Sequence, residues 1–175
     1  MRQALPALLA HAGRLVIDAD ALNAVAGDSM LQTLLRQRSA SGKPSLLTPH
    51  PLEAARLLAC TAAEVQADRL QSAVKLALQT GATVLLKGSG TVIAAPGGGL
   101  FVNSSGNAAL ASAGTGDVLA GWAAGLWAQD MGRAAVDIAV DAAWRHGRAA
   151  DTFAQSYPGQ PLRASALIEA MLAPI

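Results

Sequence analysis

Two hydrophobic periods alternate along this chain. Short apolar runs, Leu15-Val16-Ile17, Ser45-Leu46-Leu47 and Thr83-Val84-Leu85-Leu86, each stop at a polar or turn-forming cluster. Between them lie segments whose apolar positions recur every three or four residues, the mark of a helix with one buried stripe. The runs read as parallel strands, because strands covered on both faces are apolar throughout. Strands alternating with helices predict an α/β sheet.

The individual elements follow from local signals. The opening Met1 to Ala10 holds one charge and a short apolar stretch broken by Pro6, so it reads as a helix feeding the first strand rather than as a secretion signal. A helix is expected over roughly Met30 to Arg38. At Thr48-Pro49-His50-Pro51 the two prolines force an extended turn and restart a helix with Pro51 near its first position. Thr61-Ala62-Ala63-Glu64 is a capping box. The helix behind it sets Leu70, Ala73, Val74, Ala77 and Leu78 on one face and ends at Gly81. Residues 91–95 and 100–103 flank Pro96-Gly97-Gly98-Gly99, which predicts a β-hairpin. From Val118 the pattern is helical, to about Gln129, then from Arg133 to about Gln155 and from Arg163 to Met171. Trp122, Trp127 and Trp144 fall in these helices and are assigned to the core or an interface. The chain shows no internal repeat and reads as one domain over 1–175.

Composition narrows the function classes. Of 175 residues, 52% are hydrophobic and 14% charged, a folded rather than disordered profile. The net charge of +1 gives no broad attraction to nucleic acid or to an anionic membrane, so any phosphate binding must be local. Aromatic residues, at 3%, are too few for base-stacking platforms. Apolar Val118 to Ala128 is too short to span a bilayer. Cys60 is the only cysteine, which excludes an internal disulfide, fits a reducing cytoplasm and reads as a structural thiol at a helix end.

Ligands of open α/β sheets sit beyond the carboxyl ends of the strands. Four polar clusters fall at such ends: Asp18, Asp20 and Asn23; Thr48, His50 and Glu53; Lys87, Ser89 and Thr91; and the segment from Asn103 to Asp117. The last ends in Gly114-Thr115-Gly116-Asp117 and opens a helix. A glycine turn at a helix start aims free N–H groups and the positive end of the dipole at one spot, so Gly114, Thr115 and Gly116 form a candidate anion hole. An aspartate at the mouth of a phosphate site suits a base that takes the proton of an attacking hydroxyl. The plainer alternative is an ordinary helix start capped by Thr115 or Asp117. Lys87-Gly88-Ser89-Gly90-Thr91 offers a cation and two hydroxyls on a flexible backbone, which suits a phosphate or ribose, or is simply a hairpin turn with a surface lysine. It is not a Walker A loop. His50, held between prolines, is either a substrate contact or a turn histidine. His11 and His146 sit in helical segments and read as structural. Asp18 and Asp20 suit Mg²⁺ held through water, or Asp20 caps the turn at Asn23.

Taken in order, Asp18-Ala19-Asp20-Ala21-Leu22-Asn23, Thr48-Pro49-His50-Pro51-Leu52-Glu53, Lys87-Gly88-Ser89-Gly90-Thr91 and the stretch from Gly106 to Gly121 resemble the ADP/ATP-dependent NAD(P)H-hydrate dehydratase family. The resemblance implies a ribokinase-like fold, a mostly parallel sheet flanked by helices. It also implies an enzyme that uses ADP or ATP to phosphorylate the hydroxyl of hydrated NADH or NADPH, after which phosphate leaves and the nicotinamide is restored. On this resemblance His50 and Asp117 contact the hydrated cofactor, with Asn23 on the substrate side and Asp117 as the base. Lys87, Gly88, Ser89, Gly90, Thr91 and Gly116 hold the adenine nucleotide, with Mg²⁺ accompanying it.

Two departures are mild: Leu110 stands where the family often has Met, and Ser104-Ser105 where it has Pro-Thr. The larger one is at the front. Family members carry further strands and a glycine-rich substrate loop before the first motif, whereas seventeen residues precede Asp18 here. The expectation is a sheet missing its front strands, with an apolar edge that associates with further copies or with the absent segment. The competing readings are a ribokinase-like kinase of a sugar, pyrimidine or vitamin precursor, and a nucleotide-binding fragment without turnover.

Overall fold

The computed structural model describes residues 4–172. Its five strands are β1 (Leu15–Ile17), β2 (Ser45–Leu47), β3 (Thr83–Leu86), β4 (Val92–Ala94) and β5 (Leu100–Val102). They lie side by side in chain order. β1 pairs parallel with β2, and β2 parallel with β3. The hairpin continues the sheet, so β3–β4 and β4–β5 are antiparallel and the sheet is mixed.

Alternation within the strands divides the core in two. Ile17, Leu47, Val84, Leu86, Val92 and Ala94 face one way. They pack under α1 (Leu5–His11), α2 (Ala19–Ala26), α3 (Ser29–Ala40), α4 (Pro51–Leu58), α5 (Ala62–Ala67) and α6 (Arg69–Thr80). Val16, Leu46, Leu85 and Ile93 face the opposite way, toward α7 (Thr115–Gln129) and α8 (Ala135–Ser156). A third cluster seats α9 (Ala164–Leu172) on the far part of α8 through Leu162, Leu167 and Met171. The product is a helix–sheet–helix sandwich.

Two elements differ from the sequence expectation. The segment after the second motif is not one helix. Asp68 ends α5, and its carboxylate then accepts from the Gln71 N–H at 3.0 Å to start α6. That break turns the buried face of α6 to Ala73, Leu76, Ala77 and Thr80, leaving Leu70 and Leu78 exposed. The Asp18–Asn23 segment, read as a turn, is the helix α2. Asp18 takes an extended conformation at its N-cap, and Ala19 follows with φ of 49°. Eight residues are too few to show a clear helical period in the sequence.

Arg38 was unremarkable in the sequence, yet it is 2% exposed. Its guanidinium donates to Ser45 Oγ at 2.7 Å and to the carbonyls of Leu9 and Ala12 at 2.9 and 2.8 Å. One buried cation thus ties α1 and α3 to the start of β2. Burial lowers its pKa. Trp127 is buried, Trp122 half-buried and Trp144 exposed. Cys60 is half-buried just beyond α4 and packs against the larger core. No helix among the described residues is long and apolar enough to cross a membrane.

Candidate active site at the strand ends

Parallel strands bring their carboxyl ends to one edge, and the first three polar clusters meet there. Thr48 N–H donates to the Ile17 carbonyl at 3.1 Å, and Lys87 N–H donates to the Pro49 carbonyl at 2.8 Å. Lys87 Nζ forms an ion pair with Asp18 at 2.8 Å, with both side chains largely buried. Phosphate for Lys87 and Mg²⁺ for Asp18 are separate tasks in the sequence, and the fold couples the two residues. The fourth cluster arrives from the other layer. A Cβ placed on Gly116 would lie 3.4 Å from Lys87 Nζ, so the ammonium rests against the glycine turn.

The turn itself is built from the inside. Gly114 is the N-cap of α7 with φ of 85°, and no side chain caps the helix. The Thr115 hydroxyl points inward to the carbonyls of Leu110 and Ser112, at 2.7 and 2.8 Å. Its N–H lies 3.4 Å from the Ser112 carbonyl, and Val118 N–H is bound to Gly114 at 3.1 Å. Among the described residues, the N–H groups of Gly116 and Asp117 have no partner. The Gly114 N–H is also without a partner among the described residues, whereas that of Thr115 is turned to Ser112, so the open donors nearest the helix start are those of Gly116 and Asp117. Asp117 is exposed, at one end of an open groove of about 440 Å³ along Gly121, Trp122, Gly125 and Leu126.

The remaining site residues are held locally. The His50 ring caps α4: its Nδ1 accepts from the N–H groups of Leu52 and Glu53 at 3.2 and 3.3 Å. Glu53 returns the contact by accepting from His50 N–H at 2.8 Å. An Nδ1 that accepts leaves the ring proton on Nε2, which lies 3.4 Å from Glu53 Oε1. Asn23 lies in α2 with its side-chain oxygen held by Arg56 at 2.5 Å. In the loop after β3, Thr91 Oγ1 donates to the Gly88 carbonyl at 3.1 Å. Arg69 donates to the carbonyls of Ser89, of Leu86 at 3.1 Å and of Lys87 at 3.3 Å. Gly88 is needed there for its φ of 146°, which side chains rarely adopt, and a Cβ would also displace the Arg69 guanidinium 2.7 Å away.

Arg69 and Asp151 have no role in the sequence expectations, and His146 reads there as structural. Arg69 looks like an ordinary helix-surface cation. Asp151 accepts from Gly106 N–H at 2.9 Å and from Asn107 Nδ2 at 3.0 Å, anchoring the loop that leads to the turn. His146 is buried, with Nε2 2.9 Å from the Thr115 carbonyl. Burial is the main cause lowering its pKa; the bond to Thr115 opposes the shift and nearby Lys87 adds to it. The run His146-Gly147 followed by Asp151 on one helix was the available signal. No group of three His, Cys, Asp or Glu side chains among the described residues could hold a metal ion. Asp20 is exposed and outside the ion pairs of the described residues. Such a site fits Mg²⁺ only as a companion of phosphates, since that ion keeps most of its waters.

The fold and this edge define a ribokinase-like α/β domain. A structure of a ribokinase-like superfamily protein from Enterococcus faecalis superposes with a TM-score of 0.72 at 26% identity, covering 97% of this chain and 56% of that one. A Bacillus subtilis ADP/ATP-dependent NAD(P)H-hydrate dehydratase, co-crystallised with ATP/Mg²⁺ and soaked with CoA, gives 0.80 at 30% identity, covering 97% of this chain and 58% of that one. The family model for NAD(P)H-hydrate dehydratase matches residues 1–171, and the chain belongs to that family. An ADP-dependent (S)-NAD(P)H-hydrate dehydratase from Neisseria meningitidis is 48% identical over 141 residues, 81% of this chain and 46% of the relative. The chain thus spans about half the length of that relative.

Proposed function

We propose that this chain supplies the nucleotide-binding half, and the base, of an enzyme that dehydrates hydrated NADH or NADPH at the expense of ADP or ATP. The observation that carries the reading is the meeting of Lys87 with the two free N–H groups of Gly116 and Asp117. Two donors at a helix start beside an ammonium form a site for a phosphoryl group and for the charge it develops during transfer. The Asp117 carboxylate, exposed at the same turn, takes the proton of the hydrate hydroxyl. The freed oxygen attacks the terminal phosphorus, and the bond to the bridging oxygen breaks, releasing AMP from ADP or ADP from ATP. Phosphate then leaves the ring carbon, and loss of a proton from the neighbouring carbon restores the double bond.

Lys87, Gly88, Ser89, Gly90 and Thr91 hold the phosphates and ribose, with Mg²⁺ entering on the phosphates. His50 and Asn23 contact the hydrated nicotinamide. The edge of β1, without a neighbour among the described residues, takes the rest of the domain or another copy of the chain. The lone half-buried cysteine fits a cytoplasmic setting.

The test is recovery of the reduced-nicotinamide absorbance when the chain is mixed with hydrated NADPH, Mg²⁺ and ADP. Recovery should need ADP and should fall about 10²–10⁴-fold in Asp117→Asn, the usual loss for one general base. Nucleotide affinity should survive that change. A D117N variant with most of the wild-type rate would remove Asp117 as the base. A stable phosphorylated product in place of recovered absorbance would favour a kinase.

A further inference from the structure

His146 lies on the buried side of α8, directly beneath the turn. Its one hydrogen-bond partner, the Thr115 carbonyl, can only accept, so Nε2 carries the proton and Nδ1 is bare. That carbonyl belongs to the same peptide unit as the N–H of Gly116. In a trans peptide the C=O and N–H point in opposite directions, and the described residues contain no cis bond. A donor that fixes the carbonyl from below therefore aims the Gly116 N–H to the open side, where Lys87 stands. A hydrogen bond to the carbonyl also polarises the peptide and strengthens its N–H as a donor.

The rest of α8 supports the same loop. Asn103 donates to the Ala143 carbonyl at 3.2 Å, Ser105 to the Trp144 carbonyl at 2.9 Å, and Asp151 accepts from Gly106 and Asn107. Gly147 lets the loop lie against the helix, since a Cβ there would sit 2.2 Å from Ser105 Oγ. The helix grips both ends of segment 103–116, and His146 is the one side chain of this set that reaches the anion-binding peptide itself.

We infer that His146 is a positioning residue for phosphate: it locks the Thr115–Gly116 peptide so that the Gly116 N–H faces the terminal phosphoryl group. The inference rests on the nucleotide reading above. Burial next to a lysine keeps the ring neutral, so its contribution is orientation and not charge.

Imidazole ¹⁵N shifts of the wild-type chain test the premise without any variant. The expected state is a single Nε2–H tautomer at neutral pH; an Nδ1–H tautomer or a charged ring overturns the proposal. Amide spectra then follow titrations of wild type, His146→Gln and His146→Met with ADP and with adenosine. ADP should shift the Gly116 and Asp117 amides in the wild type. H146M should bind ADP about tenfold more weakly, the loss expected of one hydrogen bond at a charged ligand. Adenosine should bind H146M as it binds wild type, because it carries no phosphate, and H146Q, which keeps an N–H donor, should recover ADP affinity. Equal ADP affinity of H146M and wild type overturns the positioning role. A wild type whose Gly116 and Asp117 amides ignore bound ADP instead overturns the nucleotide site, whatever the tautomer. Should H146M not fold, the tautomer and H146Q decide.

Discussion

Lys87 and Asp18 illustrate how one contact changes the meaning of two residues. In the sequence each is a plausible ligand group, one for phosphate and one for Mg²⁺. In the fold they neutralise each other at 2.8 Å, so a phosphate held by Lys87 would have to compete with Asp18 for the ammonium. Nothing in the sequence pairs residues 69 positions apart. The same holds for His146, whose helical setting reads as core until the turn is seen above it. Its lowered pKa gives a stability prediction. A base whose folded pKa lies below its unfolded value, about 6.5 for His, contributes fully above that value. The contribution falls as pH drops below it, because the unfolded chain binds the proton first. Wild type should therefore lose more stability between about pH 6.5 and pH 5 than H146Q, in denaturant titrations at each pH. Identical slopes would remove the buried neutral ring from the account.

Elements were legible where their signals are local. The capping box expected at Thr61 is formed, its glutamate returning to the cap N–H, whereas the matching box of His50 and Glu53 shows only in the structure. β1, β2 and β3 fall on the expected runs, and the glycine loop does close a hairpin. The illegible parts depend on tertiary partners. α2 is too short to show a period, and the break at Asp68 shifts the face of α6 by a fraction of a turn. Arg38 is a further case: only the arrival of the Leu9 and Ala12 carbonyls explains a buried cation in α3. Replacing it with Met should strand those carbonyls and cost about 2 kcal/mol or more in chemical denaturation. A loss within about 0.5 kcal/mol would show that water reaches them. Gly147→Ala tests how closely α8 approaches its loop. Forcing a Cβ against Ser105 should cost about 1–3 kcal/mol and weaken ADP binding, because the turn moves with the loop. A neutral substitution, by thermal melt and titration, would mean the contact is loose.

At the scale of the whole molecule, the sheet has two ends of different character. The β5 end exposes Leu100, Phe101 and Val102. The β1 end borders an open groove of about 530 Å³ beside Arg14, Pro44 and Trp127, with the Arg14 guanidinium 5.8 Å over the Trp127 ring. One guanidinium nitrogen there is buried and unbonded, and β1 has no neighbour on its outer side among the described residues. An edge of this kind seeks a strand. Light scattering of the purified chain should show association, and a monodisperse monomer that melts cooperatively would count against it. What the chain does at that edge is separate from what it holds at the strand ends, and the strand ends carry the central claim. The most direct measurement is calorimetric titration of ADP with Mg²⁺ into the wild type and into Lys87→Ala. The account predicts binding to the wild type and at least about tenfold weaker binding to the variant, the cost of one charge-assisted contact. Equal affinity in the two proteins, or no binding to either, would contradict a phosphate site built from Lys87 and the Gly116–Asp117 turn.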